Sequence, residues 1–159
     1  MPGGLAYVVV GGVAALTTGL ATPVVSRLAV RAGALVAPDD RNVHEWPTPT
    51  LGGTAMLLGL FAGALTAWLI GDFAAVFAAP SEMLGVLLAA AVICAVGVID
   101  DIRPVSAPAK VAGMVLAGSI LSLVGVSLLV VRIPFVDLVL LSPDLSALLT
   151  VVWVVLIAN

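Results

Sequence analysis

The sequence predicts an all-α membrane protein, a polytopic bundle of about five transmembrane helices forming a single membrane domain over residues 1–159. Hydrophobic residues make up 62% of the chain and charged residues 9%, whereas a typical soluble domain has about 25% charged residues. The mean hydropathy is +1.29, and the apolar runs are long enough to cross a hydrocarbon core of about 30 Å. The few basic residues exclude a nucleic-acid-binding surface.

The apolar residues fall into five runs, each of which predicts one helix. The runs cover about residues 5–25, 51–70, 83–99, 109–131 and 145–157. The first connector has three prolines between residues 37 and 50, which favours a loop over a helix. Residues 132–144 are too short and too interrupted to span a membrane. These residues could form a short hairpin on the surface, although Pro134 disfavours a central strand.

Local signals refine these helices. Gly59 and Gly63 form a small-xxx-small pair in the second run, which predicts close packing against another helix. Ser106 and Pro108 suit the cap and the first turn of the fourth helix. The fifth run is short and the chain stops at Asn159 without a basic anchor. We therefore expect the chain to be the N-terminal portion of a longer domain.

Two adjacent carboxylates, Asp100 and Asp101, end the third apolar run. A bare carboxylate is expensive in hydrocarbon, so the pair is expected at or just past the membrane surface. The two like charges repel each other and call for a cation. Arg103 is near in sequence; a metal ion, a distant basic residue or solvent counter-ions are the other sources. The residues alone leave open whether the pair is functional or merely solvated.

Basic residues near the ends of the runs predict the orientation of the chain in an inner (plasma) membrane. The second connector has no basic residue and the fourth has only Arg132. The first and third connectors are therefore predicted to face the cytoplasm, with the N-terminus outside. This orientation brings His44 and the Asp100–Asp101 pair to one cytoplasmic surface. The basic residues of the two cytoplasmic connectors are Arg27, Arg31, Arg41, Arg103 and Lys110.

Two stretches together resemble a known family, the polyprenyl-phosphate N-acetylhexosamine-1-phosphate transferases (glycosyltransferase family 4). Residues 39–44 read Asp-Asp-Arg-Asn-Val-His and residues 47–53 read Pro-Thr-Pro-Thr-Leu-Gly-Gly, which is similar to the family's first cytoplasmic loop. Gly-Val-Ile-Asp-Asp at 97–101 resembles its acidic pair at the end of the third span. Residues 153–159 resemble the approach to its Asn-Ala-x-Asn-x-x-Asp-Gly motif, cut at the first asparagine.

The resemblance implies an enzyme of bacterial cell-wall (peptidoglycan) or surface-glycan biosynthesis. The family includes undecaprenyl-phosphate N-acetylglucosamine-1-phosphate transferases and phospho-N-acetylmuramoyl-pentapeptide transferase, and Arg-Asn-Val-His at 41–44 is closer to the former. The implied reaction transfers N-acetylglucosamine-1-phosphate from a UDP-sugar to undecaprenyl or decaprenyl phosphate and releases UMP. Mg²⁺ is the usual metal, with Mn²⁺ as an alternative. The implied partners are these substrates and the lipid bilayer, and a homodimer is left open.

The resemblance also implies roles for individual residues. Asp100 would act as a base toward the lipid phosphate, and Asp101 would lie near the nucleotide as a metal ligand. The family's later aspartate motif and His-rich loop are absent, so the chain by itself is expected to be inactive. The expected substrate-binding residues, which can equally shape loops or anchor spans, are Arg41, His44, Thr48, Thr50 and Lys110.

Two other functions compete with this interpretation. In a transporter or channel segment, Asp100 and Asp101 would form an ion site. Such sites tend to lie near mid-membrane on broken helices, whereas these acids end a span. In a non-catalytic scaffold the acids would only be solvated. Activity of the full-length protein and ion flux in vesicles distinguish the three.

Overall fold

The computed structural model describes residues 2–36, 48–133 and 137–159. In these ranges it contains five helices and two small antiparallel hairpins, which confirms the predicted polytopic helical membrane class. Three helices, α1 to α3, are long and apolar enough to cross a membrane. The helices are α1 (Gly4–Ala32), α2 (Gly52–Ile70), α3 (Pro80–Ile102), α4 (Ala107–Leu123) and α5 (Pro143–Ala158). The strands are β1 (Leu35–Val36), β2 (Thr48–Pro49), β3 (Val130–Ile133) and β4 (Asp137–Leu140).

The chain divides into two compact units, the first formed by residues 1–78 and 94–105. In this unit α1 and α2 pack through a stripe of small residues on one face of α2. Side chains four residues apart lie on the same face of a helix. Gly59 lies against Ala14 and Thr18 of α1, and Gly63 lies against Ala14. The predicted close packing at this glycine pair is confirmed. The buried residues of the stripe are Ala55, Gly59, Gly63 and Ala67.

A small apolar cluster closes one end of the first unit, where α1 ends and α2 begins. The strands β1 and β2 pair there, with Leu35 opposite Pro49. Val98 of α3 packs against the cluster, so the last turns of α3 lie at this same end. The buried members of the cluster are Val25, Ala29, Ala34, Leu51 and Ala55.

Helix α1 is longer than the first apolar run predicted. It continues through Pro23 to Ala32 instead of ending near residue 25. Arg27 and Arg31 therefore lie on the helix itself, four residues apart and both exposed. The helix ends at Gly33, whose φ of 74° is the left-handed conformation that glycine adopts without strain.

The second unit comprises residues 79–93 and 106–159, and here α4 packs closely on α5. Gly118 makes this approach feasible, since a Cβ at that position would lie 2.9 Å from the Cα of Val151. The predicted hairpin between the fourth and fifth runs is confirmed, with β3 and β4 paired from Val130 opposite Leu140 onward. Pro134 lies outside the described residues.

The predicted extent of the fourth helix, residues 109–131, is wrong. Helix α4 ends at Leu123, and Gly125 has a φ of 94° that breaks the helix. Hydroxyl groups of α5 then bind the non-helical backbone at Leu128. Thr150 Oγ1 accepts a bond from Leu128 N at 2.9 Å, and Ser146 Oγ donates to Leu128 O at 2.6 Å. Hydrophobicity alone does not distinguish a helix from a non-helical segment whose backbone is bound in this way.

The helix caps also differ from expectation. Ser106 occupies the N-cap of α4, but its side chain makes no capping bond, and Pro108 lies in the first turn as predicted. Instead, Ser106 O accepts bonds from the amides of Ala109 and Lys110. A hydroxyl cap does exist at α5, where Ser142 Oγ accepts a bond from Leu145 N at 3.4 Å.

Removing the two hydroxyls of α5 is expected to destabilise the second unit. Ser146→Ala and Thr150→Val each remove one hydrogen bond to the half-buried backbone of Leu128, and the loss of such a bond costs about 0.5–1.5 kcal/mol. Ser119→Ala is the matched control, because Ser119 donates only to Val115 O within its own helix, at 2.8 Å. The measurement is the midpoint of thermal unfolding in detergent. Equal midpoints for all three variants would contradict the role of the hydroxyls.

Candidate functional site

The acid pair occupies the last turn of α3, which ends at Ile102. Both carboxylate side chains are half-buried. The helix stops because Pro104 disfavours a helical conformation at the preceding residue. One oxygen of Asp100, Oδ1, accepts a hydrogen bond from the amide of Val105 at 3.0 Å. Arg103 N still reaches back to Ile99 O at 2.8 Å. The residues after α3 are thus bonded to its last turn at two points.

The two carboxylates leave the helix in different directions. Consecutive residues of an α-helix are about 100° apart around its axis, and side chains at i and i+1 do not face each other. Asp100 and Asp101 both lie within the helix. This geometry agrees with the expectation of different tasks for the two residues, and the assignment of those tasks stays a prediction.

Thr50 lies at the same end of the first unit as the acid pair. Val98 packs on the cluster that contains Ala34 and Leu51, and Thr50 adjoins both of these residues. Its hydroxyl donates to Ala34 O at 3.2 Å, and its amide bonds to the same carbonyl at 3.3 Å. These bonds join the end of α1 to the start of α2. A contact between Thr50 and phosphate stays a prediction.

The other predicted site residues lie in different parts of the sequence. Arg41 and His44 lie outside the described residues. Thr48 pairs with Val36 in the first hairpin. Lys110 lies in the first turn of α4, half-buried, in the second unit. The predicted proximity of His44 to the acid pair therefore stays a prediction.

The donor chemistry of the acid pair suits a hard cation. In the described ranges, no group of three or more His, Cys, Asp or Glu side chains forms a ready-made metal site. Mg²⁺ does not require one, since it keeps several waters and binds through one or two carboxylates plus substrate phosphates. Asp101 provides such a carboxylate at a helix end. The residues therefore fit Mg²⁺ as part of a coordination sphere that substrate and water complete.

Sequence reasoning did not find the bond between Asp100 and Val105. The signal in the sequence was Pro104, which marks the end of the helix and therefore a turn directly after the acid pair. The structure shows that one of the two carboxylates also organises the backbone that follows it.

The fold and the site together define a polytopic helical membrane protein with a carboxylate pair at the end of a span. Residues 83–159 of this protein match the family described as glycosyl transferase family 4. The matched region contains Asp100 and Asp101, and the resemblance seen in the motifs is confirmed for this part of the chain.

Curated relatives agree with this family. The chain is 42% identical over 92 residues to decaprenyl-phosphate N-acetylglucosaminephosphotransferase of Mycobacterium tuberculosis (strain ATCC 25618 / H37Rv). It is 44% identical over 92 residues to the protein of that name from Mycobacterium leprae (strain TN). These matches cover 58% of this chain and 23% of each relative.

A probable undecaprenyl-phosphate N-acetylglucosaminyl 1-phosphate transferase of Bacillus subtilis (strain 168) is 32% identical over 89 residues. That match covers 56% of this chain and 23% of the relative. The chain thus aligns with about a quarter of the length of each of these relatives. No solved structure matches the chain.

Proposed function

We propose that the protein transfers N-acetylglucosamine-1-phosphate from a UDP-sugar to a polyprenyl phosphate and releases UMP. One observation carries the proposal: the carboxylate pair at the end of α3 lies within the region that matches glycosyl transferase family 4. The relatives' names specify a polyprenyl phosphate and N-acetylglucosamine. We place the reaction at the cytoplasmic face of the inner membrane, as the distribution of basic residues predicts.

Charge repulsion is the physical obstacle to this reaction. The attacking lipid phosphate and the pyrophosphate of the donor are both anionic, so a phosphate oxygen approaches phosphorus only where positive charge is available. Mg²⁺, when bound, supplies that charge. Asp101 is the residue we assign to hold it. Lys110 and Arg41 add positive charge that attracts the anionic substrates to the surface.

The structure does not favour an ion pathway. Transporter sites lie near the bilayer midplane on interrupted helices. Helix α3 runs without interruption from Pro80 to Ile102, and its acids are in the last turn. A site at the membrane boundary suits a reaction between a lipid headgroup and a soluble nucleotide sugar.

The test is an assay of the full-length gene product in membranes. We expect UMP release that requires UDP-N-acetylglucosamine, a polyprenyl phosphate and Mg²⁺, and that stops when EDTA is added. UDP-N-acetylmuramoyl-pentapeptide is the alternative donor, and decaprenyl and undecaprenyl phosphate are compared as acceptors. Ion flux in vesicles without UDP-sugar, together with no UMP release, would contradict the proposal and favour the transporter.

A further inference from the structure

We propose that Asp100 is a positioning residue whose carboxylate closes the turn after α3, and that this turn presents Arg103 to a substrate phosphate. The inference rests on the proposed function, since it assigns a phosphate contact in that reaction. It gives Asp100 a task other than the base expected from the family resemblance. The contact that motivates it is the hydrogen bond from Val105 N to Asp100 Oδ1 at 3.0 Å.

The backbone around Arg103 is held on both sides. Its own amide bonds to Ile99 O at 2.8 Å, which continues the helical pattern for one more residue. The next residue, Pro104, has a fixed φ and no N–H. The amide of Val105 then bonds to the Asp100 carboxylate. Three consecutive residues after the helix are therefore restrained, and the restraint at the far end depends on one side chain.

Arg103 provides a positive charge that can bind a phosphate next to the acid pair. Its side chain is exposed, and it follows the acid pair by two residues. The C-terminal end of a helix carries partial negative charge, which with two carboxylates repels an anionic substrate. A guanidinium offsets that charge and binds phosphate with two parallel hydrogen bonds. Such binding depends on a fixed direction of approach, which a restrained turn provides.

Two variants of Asp100 separate a positioning role from a base. In Asp100→Asn the amide oxygen still accepts the bond from Val105, so we expect kcat/KM of the full-length protein to fall by less than roughly fivefold. In Asp100→Ala the bond is lost, and we expect a fall of roughly 10- to 100-fold, mainly in KM. A base would be lost in both variants, so equal inactivation of Asn and Ala would overturn the proposal.

Arg103 provides the second half of the test. Arg103→Ala is expected to raise KM roughly 10- to 100-fold, and Arg103→Lys to restore part of it. Asp100→Ala combined with Arg103→Ala should be no worse than Arg103→Ala alone, because the two act in one chain of contacts. If the losses of activity in the two single variants add up in the double variant, Asp100 does not act through Arg103 and the proposal is wrong. The matched controls are Asp72→Ala and Arg132→Ala, both exposed charged residues outside the segment 99–105 that forms this turn.

The arms of the experiment identify the phosphate. A raised KM for UDP-N-acetylglucosamine assigns Arg103 to the pyrophosphate of the donor. A raised KM for the polyprenyl phosphate assigns it to the acceptor. If neither KM changes in Arg103→Ala, the phosphate contact is excluded and the proposal is wrong.

Hydrogen exchange separates this inference from the proposed function. The amide of Val105 should exchange slowly in the wild-type protein and in Asp100→Asn, and roughly tenfold or more faster in Asp100→Ala. A slow amide in an inactive wild-type protein would overturn the proposed function and leave the turn intact. A fast amide in an active wild-type protein would overturn the turn alone.

Discussion

Replacing Asp101 by asparagine is expected to lower UMP release by the full-length protein on the order of 10²- to 10³-fold. The loss of one preorganised group that stabilises charge in a transition state has effects of this size. Asparagine has nearly the same shape, so the last turn of α3 should keep its structure while the negative charge that we propose attracts Mg²⁺ disappears. The measurement is the initial rate of UMP release at saturating UDP-N-acetylglucosamine and polyprenyl phosphate, over a series of Mg²⁺ concentrations.

Two further variants make the Asp101 experiment specific. Asp101→Glu keeps the charge, and we expect part of the activity to return at a higher Mg²⁺ concentration, because the longer side chain moves the carboxylate. Asp72→Asn, an exposed acid in the α2–α3 connector, should leave the rate and its Mg²⁺ dependence unchanged. If Asp101→Asn releases UMP at the wild-type rate, the assignment of Asp101 to the site is wrong, independently of the result for Asp100.

The membrane explains why α1, α2 and α3 were predictable from sequence. A span must satisfy its own backbone hydrogen bonds in hydrocarbon, so a long apolar run has few alternatives to a helix. That constraint weakens after Leu123 of α4. There the backbone of Leu128 finds partners in two hydroxyl groups of α5, 18 and 22 residues further along the chain. Local composition does not reveal partners at that distance.

At the candidate site, too, only part of the structure could be predicted from the sequence. The position of Asp100 and Asp101 at the end of a span followed from their charge. The bond between Asp100 and Val105 closes only five residues, but it depends on how the chain turns after Ile102, which charge does not specify. Arg41 and His44 lie outside the described residues, so their predicted contacts remain predictions from the sequence motif.

Replacing Gly59 by leucine is expected to disrupt the packing of α1 on α2 and destabilise the first unit by about 3 kcal/mol, the upper end of usual overpacking effects. A Cβ at this position would overlap Thr18 Oγ1 and lie 2.8 Å from Ala14 O. The hydroxyl can rotate away, but the backbone carbonyl of a helix cannot. Even Gly59→Ala should therefore destabilise the unit.

The glycines of the chain offer a graded series for this test. At Gly63 the atom nearest to a Cβ would be Ala14 Cβ, at 3.3 Å, and the Val10 atoms would lie at 3.8 Å, an ordinary contact distance. A small shift relieves this, so Gly63→Ala should be milder than Gly59→Ala. Gly12 on α1 has nothing within 4 Å of a Cβ, and Gly12→Leu should leave the unit intact. The thermal unfolding midpoint in detergent ranks the variants. The midpoints could instead depend only on the volume of the introduced side chain and not on the position of the glycine. That result would show that the α1–α2 contact does not control the stability of this unit.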